Sequence, residues 1–207
     1  MRSQAESSEV RRALYVLFAR LLASAPDHEL YGRLCEQGLT RLAEAQGVDL
    51  MSDLLDAHDA TASASELNSE YEELFRKVSL RASDYPGATD DPLAAVSGFL
   101  TEHGLSVDAG AGLPCDHLSV VLGIMAELAG ADTAAEDDAA LPTAGEGATD
   151  EAEARQRARA FFRRHLLSWA PQALAEVARH AHRRFYRGLA SMVVAFLETE
   201  RQRYESA

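Results

Sequence analysis

The chain has 207 residues, 47% of them hydrophobic, and a formal net charge of −13. That length suffices for one sizeable core, and the charge argues against non-specific nucleic-acid binding, because a phosphate backbone would be repelled. No charged-then-apolar leader opens the chain, no apolar run approaches the ~18–20 residues of a membrane span, and Cys35 and Cys115 make no disulfide framework, so a soluble cytoplasmic protein is expected.

Almost every periodic segment has helical spacing. Val10, Leu14, Leu17, Leu21 and Leu22 recur every three or four residues and form one apolar stripe, which Pro26 ends. Shorter helices are expected around 28–45 and 48–58. Leu67, Tyr71, Leu74, Phe75 and Val78 place a further helix over Glu66–Val78. The stretch SDYPGATDDP then breaks the pattern, with a turn at Pro86-Gly87 and a new helix start at Pro92. That helix is expected to reach about His103, where Gly104 caps it.

Pro114 is expected to open the next helix, with Leu118, Val121, Leu122, Met125 and Leu128 on its buried face and Gly130 at its end. Residues 131–150, ADTAAEDDAALPTAGEGATD, are acidic and nearly free of large apolar groups, which predicts a mobile loop. Helices are expected again over 151–167, 171–181 and 183–203. No segment reads as a strand, and no internal repeat is visible. The expected architecture is all-α: a single-domain helical bundle over 1–207, with one long acidic loop before the C-terminal helices.

The charge is unevenly spread. Residues 1–153 carry 29 acids and 9 bases, whereas 154–207 carry 4 acids and 11 bases. An acidic body suits a cationic partner, and it also serves solubility alone.

Three chemistries can be weighed at the polar motifs. His58-Asp59 is the kind of dipeptide found in HD-like helical metal-dependent phosphohydrolases, but those need further converging ligands, and only His28 and Asp116 are to hand. A solvated helix end is the simpler reading. Cys115 beside His117 suggests a nucleophile and base, yet no third group orients them. Asp116-His117 lies between Pro114 and an apolar run. Asp116 suits the first turn of a helix, where free N–H groups and the helix dipole favour a carboxylate. His117 has no such explanation.

Several motifs fall into one order: EYEELF over 70–75, Tyr85-Pro86, LPCDHL over 113–118, MAEL over 125–128, FRRHLLSW over 162–169, and Phe185-Tyr186. Together they resemble the TorD/DmsD/NarJ family of chaperones for molybdenum-containing redox enzymes, and the resemblance spans essentially the whole chain. It implies an all-helical binding protein that is not an enzyme and needs no cofactor or metal of its own. Its partners would be the twin-arginine signal peptide and the apo catalytic subunit of a molybdopterin oxidoreductase, held in the cytoplasm until cofactor insertion. It would be a monomer or a domain-swapped dimer, with the acidic loop as hinge. The resemblance assigns Asp116 and His117 to the signal-peptide site, together with Pro114, Leu118, Tyr71, Phe75, Glu70 and Tyr85. The loop RKVSLRASDYPGATDD lacks the Gly-Pro and Pro-Pro-Tyr elements of many members. The alternatives are the phosphohydrolase and a helical oligomerising scaffold without a signal-peptide site.

Overall fold

The computed structural model describes residues 4–32, 63–105, 112–137 and 146–206. Helix α1 spans Gln4–Ala23, α2 Ala64–Lys77, α3 Pro92–Glu102, α4 Leu118–Asp137, α5 Glu146–Phe161, α6 Ala170–His180 and α7 Arg184–Ser206. A π-helical turn, Phe162–Leu167, continues α5, and a 3₁₀ turn, Ala82–Asp84, lies between α2 and α3. The fold is all-α. Among the described residues the one β feature is an isolated antiparallel bridge between Arg81 and His117. Cys35, His58-Asp59 and most of the expected helices over 28–45 and 48–58 lie outside the described residues.

Local chemistry sets the helix ends. Ser63 and Glu66 form a reciprocal capping box at the start of α2, in which each side chain accepts from the other's backbone N–H. Asp91 accepts from Ala94 N at 3.0 Å ahead of Pro92 in α3. At its far end Gly104 takes φ +60°, the left-handed conformation that glycine adopts at little cost.

Two boundaries differ from expectation. The helix after Pro114 begins only at Leu118, because 116–118 are drawn into backbone bonds with 80–82: Ala82 N donates to Asp116 O at 2.9 Å and Leu118 N to Leu80 O at 2.8 Å. Pro114 instead opens a turn, its carbonyl accepting from His117 N at 2.9 Å. At the other end α4 passes Gly130 and runs to Asp137, and α5 begins at Glu146. Ala131, Ala134 and Ala135 are strong helix formers and offset one glycine. Of the expected 131–150 loop, 138–145 lie outside the described residues.

The core joins α1, α4, the π turn and α7. Leu14, Phe18, Leu22, Val121, Met125, Phe162, Val193 and Phe196 are all buried, each contributing roughly 1.5–3 kcal/mol by leaving water. Tyr15 meets Phe196 edge-on at 4.7 Å between ring centres. One buried ion pair crosses this core. Arg11 Nε and Nη2 on α1 donate to the Glu200 carboxylate on α7, at 3.0 and 2.9 Å. Tyr15 donates to the same carboxylate at 3.0 Å, and Tyr204 O accepts from Arg11 at 3.1 Å. Burial works against the Arg11 charge, but Glu200 overrides it and holds the guanidinium firmly protonated.

Candidate functional site

The segment 79–85 and the turn 114–119 build one polar junction. Asp116 is fully buried. Its Oδ1 accepts from Arg81 Nε at 3.3 Å and its Oδ2 from Ser83 N at 3.3 Å. It therefore caps the 82–84 turn and holds a guanidinium, and does not cap its own following helix. The Arg81 side chain is 44% exposed, so it reaches from solvent onto a carboxylate that solvent does not touch.

His117 lies at the edge of the same junction and is half-buried. Ser119 N donates to its Nδ1 at 3.3 Å, and Ser119 Oγ lies 2.7 Å from the same nitrogen. An Nδ1 that accepts leaves the proton on Nε2, as a donor for an outside acceptor. Burial, reinforced by Arg81 and opposed by Asp116, pushes the imidazole down to about 4, so it is neutral at physiological pH. Leu118 is completely buried and anchors the junction from beneath.

Tyr85 closes this segment. Its hydroxyl donates to Ser79 O at 2.7 Å, and its ring stacks on Trp169 with centres 5.8 Å apart. Burial pushes its phenol upward, helped by Glu176 and Asp84. The close approach depends on Gly87: a Cβ there would lie 2.1 Å from Ser168 O. Ser168 and Trp169 follow the π turn, and Trp169 Nε1 donates to His165 O at 2.7 Å. The FRRHLLSW motif thus forms the wall against which the 85–87 turn rests.

The other expected residues gather where α2 meets the start of α7. Glu70 is buried, and its Oε1 accepts from His182 N at 2.8 Å and Arg183 N at 2.7 Å, capping α7. Its Oε2 has no hydrogen-bond donor, with Arg183 Nε 3.9 Å away. Tyr71 and Phe75 are half-buried, 4.5 Å apart between ring centres, and both lie 6.1 Å from the Tyr186 ring. Tyr71 donates to Leu22 O at 3.0 Å, and burial raises its phenol to about 12. Asp116, His117, Leu118 and Pro114 therefore share one junction, and Tyr85 is tied to it through Ser79. Glu70, Tyr71 and Phe75 form an aromatic and carboxylate cluster linked to it by the chain from Phe75 to Ser79.

Sequence reasoning missed Arg81, Ser83 and Trp169. Trp169 was visible within a motif, but nothing in the spacing pairs Arg81 with a carboxylate 35 residues later. Among the described residues no three His, Cys, Asp or Glu side chains converge as a metal site would need, and no helix is long and apolar enough to cross a membrane.

No curated protein and no solved structure matches the chain. The model of one family, described as the nitrate reductase delta subunit, matches residues 35–175. This range takes in α2, both halves of the junction, the π turn and most of α6. A match over about two thirds of the chain, joined to an all-helical fold, settles the assignment: the chain belongs to the nitrate reductase delta subunit family, the NarJ/TorD-type chaperones that mature molybdoenzymes and are not themselves catalysts.

Proposed function

We propose that this chaperone recognises its molybdoenzyme client by the twin-arginine leader of the catalytic subunit, in the cytoplasm, and holds it until the cofactor is in place. The observation that carries the reading is the guanidinium already seated on buried Asp116. A site that accepts Arg81 has the charge and shape to accept a leader arginine.

The exchange has a physical logic. Asp116 cannot be left alone in the interior, since an unpaired buried carboxylate is costly. Swapping one guanidinium for another avoids that cost. Arg81 offers Asp116 a single Nε contact, whereas a leader arginine can present its whole fork. His117 Nε2–H supplies a donor for a leader carbonyl. Tyr71, Phe75 and Tyr85, all half-buried, offer apolar ring surface to the stretch after the arginines. Glu70 serves mainly by fixing the start of α7 beside Tyr186.

Calorimetry with two leader peptides tests this reading. The twin-arginine peptide should bind the wild type, and its twin-glutamine counterpart should bind more weakly. Asp116→Asn should remove most of that difference. Equal affinity of both peptides for the wild type would dismiss the carboxylate mechanism.

A further inference from the structure

The basic C-terminal third gathers several arginines on one helix. Arg179, Arg183, Arg201 and Arg203 are each paired with a glutamate. Among the described residues Arg157, Arg159, Arg163 and Arg164, all on α5 and its π turn, have no acidic partner. Arg159 and Arg163, with Arg155, line a cavity of about 490 Å³ whose other walls are Ala152, Gln156, Ala160 and Tyr204. Tyr204 is buried, its oxygen engaged by Arg11, so this wall is fixed by the core and not by a mobile side chain.

We propose that this arginine-lined cavity docks an acidic segment of the client's mature chain, a second contact separate from the leader site. Charge complementarity selects the sign of the ligand. Spacing selects its kind. Positions 159 and 163 are four residues apart, about 6 Å along a helix. Carboxylates on alternate residues of an extended peptide repeat at about 6.7 Å, and each can take a guanidinium in a two-bond fork. Consecutive phosphates of a polyphosphate crowd their charge far more closely, so inorganic triphosphate is the competitor that separates the two ligand kinds. The overall charge of −13 does not forbid an acidic ligand, because at physiological salt the field felt in the cavity comes from charges within about 8 Å.

Fluorescence anisotropy with the full chain tests this, using a labelled peptide of alternating Glu and Ser, its Gln-for-Glu counterpart, and inorganic triphosphate as competitor. The acidic peptide should bind, salt should weaken it, and the Gln peptide should not compete. Arg159→Glu with Arg163→Glu should lower its affinity about tenfold or more, while the twin-arginine leader binds as tightly as to wild type. If charge reversal unfolds the chain, Arg159→Gln with Arg163→Gln carries the same test with a smaller loss. Undiminished binding of the acidic peptide to the variant overturns the proposal, as does no binding to wild type. Displacement by triphosphate at lower concentration than the peptide itself also overturns it, in favour of a small polyanion. So does a homodimer that the charge reversal dissociates, in favour of a second copy. None of these outcomes touches the leader reading, which stands or falls on Asp116.

Discussion

At Asp116 a single carboxylate does two jobs: it fixes the 82–84 turn through Ser83 N and it holds Arg81. Substitutions should separate them. Asp116→Asn keeps one acceptor oxygen, so stability should fall by only about 1 kcal/mol, while the leader loses its charged partner. Arg81→Gln removes the internal occupant and should tighten leader binding by about 1 kcal/mol; titration calorimetry reads both. Weaker leader binding to Arg81→Gln would make Arg81 a contact and not a competitor. Titration of the histidines adds a second test. His165, pushed down to about 4 by burial and then by Arg164, packs against Phe161 at 4.8 Å. His117 is lowered likewise. Because the folded state resists protonation, the unfolded chain takes up protons first as pH falls from about 6.5 toward 4. Stability contributed by the neutral rings is thus intact above 6.5 and lost through that window. His165→Phe keeps a ring there and should flatten the decline of Tm between pH 6.5 and 4; an unchanged slope would discount His165.

Among the elements, α1 and α7 are joined by Arg11 and Glu200, and the 85–87 turn by its contact with Trp169. Glu200→Ala should cost about 3 kcal/mol or more, since Arg11 is then buried without its partner. Denaturant unfolding measures this, and a loss under 1 kcal/mol would mean the pair is replaceable by water. Gly87→Ala should cost about 1–3 kcal/mol through the clash with Ser168 O. It should also alter the emission of Trp169, the one tryptophan in the chain; unchanged emission would mean the turn yields without moving its wall. These elements also mark what the sequence made legible. Apolar spacing located α1, α2, α4 and α7, because each buries a stripe whose period is set by the helix itself. Capping chemistry located the start of α3 at Pro92. The late start of α4 was not legible, because it depends on backbone bonds between 80–82 and 116–118, which no local pattern records. The extent of α4 past Gly130 was hidden for a different reason: absence of large apolar residues speaks against core contact, not against helical backbone in an alanine-rich stretch.

Over the whole molecule, the site follows the same division. The Asp116-His117 pair was legible as a motif, and the half-buried rings of Tyr71, Phe75 and Tyr85 as members of an ordered set. The burial of Asp116 and the guanidinium upon it were not, since they arise from long-range packing. Charge is likewise segregated by three-dimensional arrangement: the acidic body carries the proposed leader site, and Arg157, Arg159, Arg163 and Arg164 lie together on α5 and its π turn. The account joins these in one central claim, that a leader arginine replaces Arg81 on Asp116. Nuclear magnetic resonance of the arginine Nε–H groups tests it most directly. Saturation with the twin-arginine peptide should move the Arg81 Nε–H signal to the position it holds in the Asp116→Ala variant, where no acceptor remains, while the twin-glutamine peptide should leave it in place. An Arg81 Nε–H signal unchanged at saturating twin-arginine peptide would contradict the claim and put the leader elsewhere on the chaperone.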